Sequence, residues 1–280
     1  MHRAEDSQLL QARATTKRVA RTFALACRLL PRALRDDVYL LYLVFRTLDD
    51  LVDTGDPRAA ARLEAVEAWS AGQPADSPET RVLTDLERRH PLPRYALRDF
   101  CAGMREDLRG ARRATEADVD GYCYRVAGTV GVVMSAMLGA TDPAAPARAS
   151  ALGMAMQRTN ILRDIDEDLA DGRVYLAGET LERFGCGSAP PPATEREALL
   201  RDQIARADAL YDEGCAGIAL LPCGRRAITA AGAMYREILR QIERDGYGSQ
   251  TGRAIVSRKR KLLVAARART PSPESAGDRG

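Results

Sequence analysis

The stretch Tyr39-Leu-Leu-Tyr42-Leu-Val-Phe-Arg46-Thr-Leu-Asp49-Asp50-Leu-Val-Asp53 is apolar almost all round at helical period, which predicts a buried helix rather than a surface one. Its polar residues are not scattered. At about 100° per residue, Tyr42, Arg46, Asp49 and Asp53 fall in one stripe about 60° wide. A second segment, Gln157-Arg-Thr-Asn160-Ile-Leu-Arg163-Asp164-Ile-Asp-Glu167-Asp168, repeats the arrangement. As one helix it aligns Gln157, Asn160, Asp164 and Asp168 within about 80°. An Asp pair four residues apart is ordinarily a solvated helix face. Two such pairs facing one space would gather four carboxylates, and because unpaired buried charge is costly, cations are expected with them. Oxygen donors, with an amide oxygen from Asn160 or Gln157, suit Mg²⁺, with Mn²⁺ as the alternative, and Mg²⁺ shares its shell with phosphates and water. A polyphosphate substrate follows. Arg46 and Arg163 read either as salt-bridge partners of these carboxylates or as bidentate diphosphate ligands.

Outward from these segments, Ala/Leu/Arg/Glu-rich runs with apolar residues at i, i+3, i+4 and i+7 alternate with short Pro/Gly/Ser breaks, and no alternating β-branched run occurs. This predicts an all-α protein of roughly eight helices. The breaks fall near Leu30-Pro31, Thr54 to Pro57, Ser70 to Ser77, His90 to Pro93, Gly139 to Pro146, Gly185 to Thr194 and Leu221 to Gly224. None has the length of an interdomain linker. One domain is expected over residues 1–269, followed by a disordered tail over 270–280 that has little to bury.

Rare residues exclude much chemistry. The 280 residues include two histidines, His2 at the terminus and His90 against Pro91, which leave almost nothing from which to build a Ser-His-Asp triad or an H-E-x-x-H zinc site. Three lysines and no G-x-x-x-x-G-K-[ST] leave no P-loop, and no dinucleotide fingerprint is present; NADPH is not expected. A net charge of +3 with both signs interspersed argues against nucleic acid. Six cysteines without a C-x-x-C pair, and a beginning without an apolar leader run, point to reduced thiols in a cytoplasm. The glycine-interrupted uncharged run beginning at Val126 is too short to span a membrane. It reads either as close helix packing or as a path for a hydrocarbon chain. The segment Arg253 to Arg269 is the one concentrated basic stretch, a solvated helix face or a transient contact with an anionic membrane surface.

The two acidic segments, with Gly172-Arg173-Val-Tyr175-Leu176 after the second, resemble the signature segments of the squalene/phytoene synthase family. Arg21-Thr-Phe23, Tyr122-Cys-Tyr-Arg-Val126-Ala-Gly128-Thr-Val130-Gly131, Tyr235-Arg-Glu-Ile-Leu, Gly246-Tyr247 and Arg253 extend the resemblance over nearly the whole chain. The resemblance implies an all-α isoprenoid synthase fold, a helical bundle around a central cavity. It also implies head-to-head condensation of two prenyl diphosphates, geranylgeranyl or farnesyl, with release of diphosphate, phytoene synthase being the reading preferred. By the same resemblance, Asp49, Asp53, Asp164 and Asp168 would bind metal with Asn160 close by. Arg46, Arg163, Arg253, Tyr235 and Arg21 would hold diphosphate, and Tyr42, Tyr122, Val126, Val130, Gly131 and Gln157 would line the reacting centre. Ala20 and Ala177 depart from the family's common serine and proline.

Three other readings stand beside this one. Some relatives move a single allylic prenyl group to an aromatic or other small-molecule acceptor. A cyclase is disfavoured by 5% aromatic content, which leaves few π faces for migrating cations. A non-catalytic assembly factor would be marked by degenerate acidic motifs, and both are intact.

Overall fold

The structure, a computed structural model, describes residues 2–19, 21–192, 195–248 and 252–271, and every regular element among them is helical. Fourteen α-helices are formed. The seven expected breaks all separate helices, and the excess over eight comes mainly from short elements that periodicity does not resolve. Most of the predicted tail, from residue 272 onward, lies outside the described residues.

The first acidic segment closes α3 (Arg32–Asp53), which Pro31 precedes in an extended conformation (φ −52, ψ 143). Around α3 pack α1 (His2–Val19), α4 (Ala59–Ser70), α5 (Pro78–Glu87) and α6 (Arg94–Leu108), while α2 (Arg21–Cys27) reaches it through Phe23. Ser77 with Thr80 forms the capping box that opens α5, and Pro78 follows at its first position. Leu41, Leu48, Leu63, Leu83, Leu86 and Leu97, all at most 1% exposed, are the centre of this first core cluster. A second cluster lies between α7 (Glu116–Cys123), α9 (Ala145–Arg163), α12 (Glu197–Ala216) and α13 (Arg225–Arg244), around Tyr211, Leu199, Leu200 and Leu239. Val126, Cys215 and Ile228 pack against both clusters.

Between α7 and α8 (Thr129–Met137) the chain widens into one π turn, Tyr124–Gly128, closed by the Thr129 N–H on the Tyr124 carbonyl. Here the structure supports the packing reading of the glycine run. A Cβ at Gly131 would lie 2.2 Å from the Ala149 carbonyl oxygen, and one at Gly153 would lie 2.2 Å from that of Ala127. Gly131 thus lets α8, and Gly153 lets the π turn, touch the backbone of α9, which is close helix packing.

The orientation of α9 is set by a buried ionic network. Arg158, 3% exposed, donates to Glu116 Oε2 at 2.8 Å, Asp120 Oδ1 at 2.6 Å and Gln203 Oε1 at 3.1 Å. Thr180 of α11 (Gly178–Arg183) and the Gln203 amide complete the shell of Glu116. α7, α9, α11 and α12 are thereby tied together, with the stripe of Gln157, Asn160 and Asp164 turned away from the network.

Candidate active site

The second acidic segment is not the single helix its periodicity predicts. α9 ends at Arg163, Asp164 leaves helical geometry (φ −104, ψ 12), and α10 (Ile165–Ala170) carries Asp168. The Asp164 N–H still donates to the Asn160 carbonyl at 2.9 Å, and its own carbonyl accepts from Asp168 N–H at 2.8 Å. The break is therefore a kink that keeps the acidic residues in phase. Asp164 at the kink is clamped from two sides. Arg163 donates twice, at 2.8 and 2.6 Å, and Arg253 Nε lies 3.0 Å from the same carboxylate. Arg253 is brought there by Asp166, which accepts from Gly252 N–H at 2.9 Å and from Arg196 at 2.6 Å.

The two acidic stripes meet at a residue absent from the site predicted above. After α10, Gly172 takes a left-handed turn (φ 73), and the Arg173 N–H returns to the Asp168 carbonyl at 2.7 Å. The Arg173 guanidinium then stands between the stripes, 3.7 Å from Asp53 and 3.9 Å from Asp168. Tyr235 of α13 neighbours Arg163 and lies near enough to Tyr42 of α3 to act on it electrostatically. Phe23 covers Tyr42, with ring centroids 5.3 Å apart. Thus Tyr42, Arg46, Asp49, Asp53, Asn160, Arg163, Asp164, Asp168, Tyr235 and Arg253 converge through these contacts.

The electrostatics are those of a crowded anionic recess. Solvent reaches 37% of the Asp49 side chain, yet withdrawal from bulk water, and then Asp53 beside it, push its carboxyl up to about 7 against the pull of Arg46. Burial, with Asp164 next, pushes Asp168 to about 6, and Arg173 opposes. Burial also takes Tyr42 to about 12. Arg46 pairs with Asp49 at 2.8 Å and with Asp50, while its Nε is buried without a partner. Asn160 donates to Gln157 at 3.2 Å, and its buried Oδ1 accepts nothing. Among the described residues, no group of three or more His, Cys, Asp or Glu is gathered closely enough to hold an ion unaided.

The remaining predicted residues sit around this recess. Tyr122 lies behind it: the ring stacks on Tyr175 at 5.5 Å and the hydroxyl donates to Asp107 Oδ2 at 2.9 Å. Val126 and Val130 are half-buried at the margins of the core clusters, and Gly131 faces the α9 backbone. The side chain of Arg21 lies outside those described, as does Ala20. Asp107 is a further residue that sequence reading missed. Burial raises its carboxyl, Tyr122 and Arg113 oppose, Asp53 adds to the rise, and its own charge acts on Asp49. The signal was present, since Asp107 continues the stripe Phe100, Gly103, Met104, all buried, of α6.

A sequence model described as squalene/phytoene synthase matches residues 16–260. The chain is 36% identical to a 15-cis-phytoene synthase of Synechocystis over 90% of its own length and 81% of that protein's. It is 37% identical to a phytoene synthase of Thermus thermophilus, covering 88% of this chain and 87% of that one. Among solved structures, a dehydrosqualene synthase in complex with ligand superimposes with a TM-score of 0.85 at 29% identity, covering 95% of this chain and 96% of the other. A squalene synthase from Alicyclobacillus acidocaldarius does so at 0.76 and 28% identity, covering 88% and 96%. The helical architecture is accordingly the isoprenoid synthase fold. The chain belongs to the squalene/phytoene synthase family, prenyltransferases that join prenyl diphosphates head to head.

Proposed function

We propose that this chain condenses two molecules of an allylic prenyl diphosphate, geranylgeranyl or farnesyl, in the manner of a phytoene synthase. The observation that carries the reading is the pairing of Asp53 and Asp168 across one guanidinium, which sets the two acidic stripes face to face. A divalent cation fits these residues. The donor set is all oxygen, Asn160 Oδ1 is buried without a partner, and burial with the Asp53 charge holds the Asp49 proton on to about 7 despite the pull of Arg46. Asp49, Asp53, Asp164, Asp168 and Asn160 would hold Mg²⁺ or Mn²⁺, with diphosphate oxygens and water completing each shell. Bound there, the metal supplies Lewis-acid stabilisation of charge on the leaving diphosphate.

The chain's own groups do the rest. Arg46, whose Nε has no partner, and Arg163, Arg173 and Arg253 offer planar donor pairs to diphosphate oxygens and favour their departure as negative charge develops. Tyr42 and Phe23 present aromatic faces beside them, suited to shielding an allylic cation from water and stabilising it electrostatically. The neutral phenol of Tyr42, held protonated by burial, is positioned as a hydrogen-bond donor. No histidine base or nucleophilic side chain is needed for departure of such a leaving group.

The test is incubation with geranylgeranyl or farnesyl diphosphate, in Mg²⁺ or in EDTA, following diphosphate release and extracting hydrocarbon for mass spectrometry. A Mg²⁺-dependent C40 or C30 product is expected. Metal-dependent diphosphate binding without a coupled product would replace this reading with transfer to an aromatic or other small acceptor. No binding at all would return the chain to a non-catalytic role.

A further inference from the structure

We infer that α14 (Arg258–Arg267) and the strand-like approach to it form a docking face for an anionic lipid bilayer. From Arg253 to Arg269 the chain carries seven basic residues and no acid. Three of them are engaged: Arg253 with Asp164, Arg260 with Glu237 at 2.8 Å, and Lys261 with the Thr22 hydroxyl at 2.9 Å. Arg258, Lys259, Arg267 and Arg269 make no ion pair among the described residues. Unneutralised cations alone would be an ordinary solvated face. The apolar residues between them are what such a face lacks.

Of the eight large apolar side chains exposed among the described residues, three lie within nine consecutive positions here: Ile255 at 76%, Leu262 at 54% and Leu263 at 40%. α14 has no buried residue. Its inner side is nonetheless fixed, because Lys261 reaches Thr22 of α2 and Ala265 packs on the cluster of Ala26, Ala230, Ala231 and Met234. That leaves an outer arc of about 180° holding Arg258, Lys259, Leu262, Leu263, Ala266 and Arg267, every one exposed. Leucines flanked by unpaired cations on a helix already held flat against the protein are the chemistry of a helix lying in a headgroup layer. The leucines enter the acyl boundary while the guanidinium and ammonium groups meet lipid phosphates. The charge complementarity selects an anionic bilayer over a neutral one. The face adjoins the recess through Arg253, so the proposed hydrocarbon product would emerge beside lipid; that link rests on the proposed function, whereas the face itself does not.

The experiment is flotation of the full chain with vesicles of phosphatidylcholine containing about one-third phosphatidylglycerol, read without substrate so that it can fail independently of turnover. The protein is expected to float with these vesicles and not with pure phosphatidylcholine. Each surface cation contributes about fivefold to partitioning, so Arg258→Ala with Lys259→Ala should weaken it about twenty-five-fold. Leu262→Asp with Leu263→Asp should weaken it at least as much, with circular dichroism and turnover on detergent-dispersed substrate unchanged. A wild-type chain left at the bottom, equal flotation with neutral vesicles, or a leucine variant that floats like wild type would each overturn the inference. So would conversion of a dimer to a monomer by the leucine variant in light scattering, which would make the face a contact between two copies of this chain.

Discussion

Lowering the pH from 8 to 6 is expected to weaken binding of a divalent cation at the acidic recess about twenty-fold. Asp49 titrates at about 7 and Asp168 at about 6, each held up chiefly by burial and then by a neighbouring carboxylate, Asp53 and Asp164 respectively. A carboxylate must lose its proton to ligate. At pH 8 about nine-tenths of Asp49 and nearly all of Asp168 are ionised; at pH 6 the fractions are about one-tenth and one-half, and the ratio of the products gives the figure. Both carboxyls are raised above their unfolded values, so the stability they contribute is full below about pH 4 and is lost as pH rises through 6 to 7. Metal-free protein therefore loses stability over that window, and added Mg²⁺ should raise the Tm more at pH 8 than at pH 5. The direct assay is Mn²⁺ binding followed by electron paramagnetic resonance at pH 6, 7 and 8, with Asp49→Asn beside the wild type. The variant should bind more weakly at pH 8 with a much flatter pH dependence. Wild-type affinity at pH 6 within about twofold of that at pH 8 would refute the reasoning, as would an undiminished slope in Asp49→Asn.

Three substitutions separate chemistry from packing. Asp164→Ala should reduce turnover by about three orders of magnitude while circular dichroism shows the helical fold kept, since it removes a candidate ligand; the Tm should fall only by the loss of its pairs with Arg163 and Arg253. Gly153→Val places a side chain against the Ala127 backbone carbonyl, where no flexible group can yield, and should cost about 3 kcal/mol in urea unfolding. Arg158→Met leaves Glu116 buried with only Thr180 and Gln203 to satisfy it, and a loss of about 3–5 kcal/mol in the same assay is expected.

The residues whose shared helix face was legible in the sequence are those whose position follows from local periodicity. Tyr42, Arg46, Asp49 and Asp53 share a face because a helix repeats every few residues, and the apolar surroundings of that face already implied burial. The breaks at Pro31, Ser77 and Pro93 were legible for the same reason, since capping and proline geometry act within one turn. Asp107 was legible in principle, as an acid on a buried stripe, whereas Arg173 lies in a family-like segment whose sequence does not show that it stands between the two acidic stripes.

An all-α chain with two acidic helix faces, and the donor types they carry, is thus written into local sequence. Packing between helices settles the rest: Asp53 and Asp168 share Arg173, α9 kinks at Asp164 between Arg163 and Arg253, Tyr122 supports Asp107 from behind, and Gly131 and Gly153 belong to a helix contact. These are contacts between segments far apart in the chain. Helical period fixes the angle of a side chain about its own axis, whereas the partner it meets depends on how whole helices pack, which buried networks such as Arg158 with Glu116 and close backbone approach set together.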